Sequence, residues 1–142
     1  MCMVYYLGTD GEAPRGPWQE SCPAFYVSDV ETDVLPSVRQ KLPHANLVYL
    51  GSHEGCGCGF RRADECAEEG CDDDATVEDH RALAAYLAAL PSSVRPPQIF
   101  GCWSGDESAP IDHQREISVS DILGRTFGFH EREILTLRQN EK

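Results

Sequence analysis

The stretch "NLVYLGSHEGCGCGF", Asn46 to Phe60, decides how this chain is read. Its first half is a continuous apolar run, the pattern of a strand buried on both faces. Its second half places a glycine before, between and after two cysteines, Cys56 and Cys58. The strand sets the fold, and the Cys-Gly segment raises the question of function.

Downstream, "TVEDHRALAAYLAALP" (Thr76–Pro91) predicts a helix. Thr76 serves as N-cap with Asp79 three residues on, Leu83, Leu87 and Leu90 recur at helical spacing, and Pro91 ends it. "PQIFGCW" (Pro97–Trp103) follows as a strand, with Cys102 as a core residue. Strand, helix, strand is the order of a βαβ unit, whose strands run parallel. The loops after Gly51 and after Trp103 should then lie side by side at one sheet edge, where open α/β sheets usually hold ligands.

Upstream, "MVYYL" (Met3–Leu7) and "AFYV" (Ala24–Val27) read as strands, joined by a loop rich in Gly and Pro. "DVLPSVRQKLP" (Asp33–Pro43) predicts a short helix, with Pro36 in its first turn, Val38 and Leu42 on one face, and Pro43 as the stop. Arg39 and Lys41 lie at its C-terminal end, where the helix dipole favours cations. In the last third, "SVSDILG" (Ser118–Gly124) reads as a helical turn, and "TFGF" with "ILTL" as a hairpin around "HERE". The expected fold is α/β or α+β: a small mixed sheet with a central strand-helix-strand unit and two main helices. Residues 1–142 read as one domain, with an acidic, Cys-containing insertion at about 61–75.

Composition excludes some partners. Twenty-four acidic against twelve basic residues give a net charge of −12. That balance argues against nucleic acid and anionic membranes, which are held chiefly by Lys and Arg, and suits a cation or a basic protein partner. The first residues lack a basic, apolar leader, and no stretch approaches the roughly 18 apolar residues of a membrane span, so the expectation is a soluble, cytoplasmic protein. Seven cysteines, an odd number, read as reduced thiols rather than a disulfide framework.

Four readings compete for Gly-Cys-Gly-Cys-Gly. In an extended conformation, Cys56, Cys58 and Phe60 share one face, and the glycines leave the other bare for close approach of another backbone. Alternatively, two thiolates one residue apart bind a transition metal such as zinc, with His53, Cys66, Cys71 and His80 as further candidate ligands. The spacing Cys-x-Cys-x7-Cys-x4-Cys differs from the familiar zinc knuckles. A thiol redox centre or cysteine nucleophile needs a lowered thiol pKa; Arg61 and Arg62 help, but nine acidic residues between Asp64 and Asp79 oppose it. That same acidic field favours a bound cation, which places metal ahead of redox chemistry. A backbone nest for an anion comes last, because the acidic run repels phosphate.

A second candidate is "WSGDESAPIDH", which supplies Asp106, Glu107, Asp112 and His113 for acid-base work or a hard cation, against the plain alternative of a polar loop. No catalytic signature such as G-x-S-x-G or H-E-x-x-H is present, so the reading leans away from an enzyme. The leading expectation is a small zinc-binding protein. Its alternatives are a non-catalytic interaction module with an acidic surface and a thiol enzyme.

Overall fold

The computed structural model describes residues 2–16, 25–52, 57–60, 74–91, 95–124 and 127–138, with backbone alone at 58, 59, 74 and 75. Among these residues, six strands form one open, mixed sheet: β1 (Met3–Thr9), β2 (Tyr26–Asp29), β3 (Asn46–Gly51), β4 (Gln98–Trp103), β5 (His113–Ile117) and β6 (Glu133–Leu137). Their spatial order is β2-β3-β1-β4-β6-β5. Every pairing is antiparallel except β5 with β6. Among the described residues, no helix is long and apolar enough to cross a membrane.

β1 is buried along its whole length because it is covered on both sides. Side chains of a strand alternate between faces, and here both sets are apolar. Met3, Tyr5 and Leu7 join Val48, Leu50, Ile99 and Leu135 beneath the long helix α2 (Asp74–Ala88). Val4 and Tyr6 join Leu47, Phe100 and Cys102 on the opposite face, under Val38 and Leu42 of the short helix α1 (Leu35–Lys41) and its C-cap. The result is three layers, with the sheet between α1 and α2. Pro36 stands at the start of α1 and Arg39 and Lys41 in its last turn, as the sequence predicts.

Four expectations need correction. β3 and β4 do run parallel, but they are not neighbours: β1 lies antiparallel between them. The C-terminal ends of β3 and β4 still share one end of the sheet. Next, α2 begins at Asp74, so Thr76 lies inside its first turn and not at the N-cap. Third, no hairpin forms around "HERE" among the described residues. Phe127 and Phe129 are irregular backbone plugged into the α2-side core, and β6 pairs instead with β4 and with β5. Last, Gly57–Phe60 is a 3-10 turn and not an extended segment.

The close approach expected of the glycines holds at Gly57. A Cβ there would fall 2.5 Å from Tyr5 Cδ2 and 2.6 Å from the Met3 carbonyl oxygen. Gly101 on β4 faces the other edge of the same ring, where an added Cβ would fall 2.6 Å from Tyr5 Cε1. Tyr5 is thus wedged between two bare backbones, with Phe60 and Phe129 packed on it at ring-centroid distances of 5.5 and 4.6 Å.

Candidate functional site

On the α1 face, Tyr6 of β1, Tyr49 of β3 and Tyr26 of β2 line a cleft of about 490 Å³. Two loops close over it. Glu31, Asp33 and Val34 come from the segment between β2, which ends at Asp29 on the cleft wall, and α1, and Ser104, Gly105 and Glu107 from the turn after β4. The tyrosines step across the sheet, with ring centroids 5.8 Å apart for Tyr6 and Tyr49 and 6.0 Å for Tyr26 and Tyr49. Tyr26 pairs with Gly51, and a Cβ on Gly51 would overlap its ring. Glycine at that position lets Tyr26 lean over β3.

Glu107 is the buried end of the cleft. The Tyr6 hydroxyl donates to its Oε2 at 3.0 Å, and the Gly105 N–H donates to its Oε1 at 2.9 Å. The turn that aims this N–H requires Gly105, whose φ of 102° lies in the region that side chains disfavour. Burial, then the Glu107 charge and hydrogen bond, hold the Tyr6 hydroxyl far above the ordinary phenol range, so it remains a donor. Burial, followed by Glu107 and Asp106, pushes the neighbouring Cys102 thiol up to about 12. Cys102 is therefore a packed, inert thiol at neutral pH, consistent with its reading as a core residue.

These shifts fix an alkaline limit. Free of the fold, the two groups titrate near 9.0 for Cys102 and 10.0 for Tyr6, whereas the native protein keeps both protons to higher pH. Their contribution to stability is complete below about pH 9 and is lost as pH rises from there toward 12. The urea midpoint should fall progressively between pH 9 and 11, and Tyr6→Phe should flatten that decline. A decline of unchanged slope in Tyr6→Phe would show that Tyr6 does not drive it.

The residues of "WSGDESAPIDH" do not converge on one site. Glu107 joins the cleft, and Asp106 turns back to Trp103 through its backbone N–H. Asp112 pairs with Arg132 at 2.6 Å, and His113 packs against His130 with ring centroids 5.0 Å apart. His80 is almost fully buried on the inner side of α2, as its spacing predicts. Its Nε2 lies 2.7 Å from the Phe60 carbonyl oxygen. A carbonyl only accepts, so Nε2 carries the proton and His80 pins the 3-10 turn. His53, Cys56, Cys66 and Cys71 lie outside the described residues, as does most of the acidic segment, and Cys58 is described by its backbone alone. Among the described residues, no group of three or more His, Cys, Asp or Glu is placed to hold a metal ion.

Sequence reasoning singled out Glu107 but not Tyr6, Tyr26, Tyr49, Glu31 or Asp33. The tyrosines carry a signal only in retrospect. Adjacent Tyr5 and Tyr6 must face opposite ways, and which of them meets Tyr49 depends on strand register.

No family model, curated protein or solved structure matches this chain.

Proposed function

We propose that this protein is a non-catalytic binding module whose tyrosine-carboxylate cleft receives a cationic group from a basic protein partner. One observation carries this reading. The cleft combines three tyrosines with Asp29, Glu31, Asp33 and Glu107, and no Lys, Arg or His stands among its described lining residues. Asp29 is answered from outside by Arg15 at 2.9 Å. Among the described residues, Glu31 and Asp33 have no ion-pair partner. A cation over a tyrosine face is stabilised by about 0.5–2 kcal/mol, depending on how far it is desolvated. The net charge of −12 supports the reading by drawing basic partners toward the protein. The zinc reading concerns Cys56 and Cys58, and the cleft reading does not depend on it.

A titration of a short capped peptide of four basic residues, followed by backbone amide NMR, tests it. Shifts should concentrate at residues 26–34, 49 and 104–107 and weaken as salt is raised. A matched acidic peptide should cause none. Shifts absent from these residues, or centred on α2, would sink the reading.

A further inference from the structure

We infer that the group the cleft is built to take is the guanidinium of an arginine side chain, in preference to the ammonium of lysine. This rests on the cleft reading above and narrows it. Tyr6 is nearly buried, stacked on Phe100 at 6.2 Å and met edge-on by Tyr49. The half-buried Tyr26 and Tyr49 therefore supply the ring surface that a ligand meets. A planar, weakly hydrated guanidinium stacks on such a face, whereas a compact ammonium keeps its water and gains less.

The carboxylates favour the same choice. Both oxygens of Glu107 already accept a hydrogen bond, one from Tyr6 and one from Gly105. Glu107 thus acts mainly as a fixed negative charge at the buried end. Glu31 and Asp33 are exposed at the mouth, two residues apart on the segment before α1. A guanidinium flat on Tyr49 has N–H groups along its edge to offer to these two carboxylates, the planar fork that lysine lacks.

Two capped peptides, Ala-Arg-Arg-Ala and Ala-Lys-Lys-Ala, carry equal charge and separate the two inferences by calorimetry or NMR titration. The arginine peptide should bind about tenfold more tightly. Tyr49→Leu should bring its affinity down to that of the lysine peptide. The double variant Glu31→Gln, Asp33→Asn alters only exposed side chains and should weaken the arginine peptide several-fold with the melting temperature unchanged. If the two peptides bind equally in the cleft, the arginine preference is wrong and the cation-binding reading stands. Binding of neither peptide, or binding that ignores both the Tyr49 and the carboxylate substitutions, overturns both.

Discussion

Gly57→Ala should cost about 3 kcal/mol of folding stability, at the upper end of what overpacking a tight core costs. In a domain of this size that is roughly a 10 °C fall in melting temperature. The added methyl would sit 2.6 Å from the Met3 carbonyl oxygen. That oxygen belongs to the central strand of the sheet and cannot swing aside as a side chain can. The methyl would also press on Tyr5, which has no room to move because Gly101 lies against its other edge. Gly128→Ala is the control, since nothing lies within 4 Å of a Cβ there, and it should change stability by about 0.5 kcal/mol or less. Urea unfolding that finds the two variants equally stable would refute the wedge at Tyr5.

Arg115→Met should cost a similar amount, about 3 kcal/mol, by a different route. Arg115 on β5 donates from Nε to Glu133 Oε2 at 2.7 Å and from Nη2 to Oε1 at 3.0 Å. The same Nη2 reaches the Gly128 carbonyl oxygen at 2.7 Å, and the guanidinium lies over the Phe127 ring at 5.4 Å. The Glu133 side chain is only 1% exposed. Removing its partner leaves a buried carboxylate whose one other hydrogen bond among the described residues comes from the His130 N–H at 3.2 Å, and breaking such a pair from one side typically costs about 3–5 kcal/mol. Arg115 is itself a third exposed, which places the expectation at the lower end. Replacing both residues, Arg115→Met with Glu133→Leu, should recover most of the loss, because no charge is then stranded. A double variant no more stable than Arg115→Met would mean that packing, and not the charge pair, ties β5 to β6.

The sequence made β1, β3, β4, α1 and α2 legible, because each is an apolar run or a periodic one with its own stop. β5 was not. "HQREI" carries a single apolar residue, Ile117, since an edge strand buries little. "TFGF" alternates like a strand, yet its two phenylalanines fill space beneath α2, a role that periodicity cannot distinguish from sheet pairing. Strand order was illegible for a related reason. A helix between two strands reads as a crossover to a neighbour, and nothing local says that a third strand will insert between them. The cleft inherits that difficulty, because it exists only once β2, β3 and β1 are in register. Of its parts, the sequence offered Glu107 as a loop acid but not the tyrosine beside it.

The position of β1 also bears on how the chain assembles. Tyr5 pairs with Leu50 on one side and with Gly101 on the other, so the strand made early stands in the middle of the finished sheet. During synthesis its first edge is satisfied by β3, but its second waits for residues 98–103. Until then a row of backbone donors and acceptors beside Tyr5 and Leu7 stays open, an invitation to strand exchange with another nascent copy. Closing that gap joins residues from far apart in sequence, a slow kind of contact that follows the local ones. Fragments ending before Gln98 should for this reason be sticky, even though they hold α1, β3 and most of the cleft.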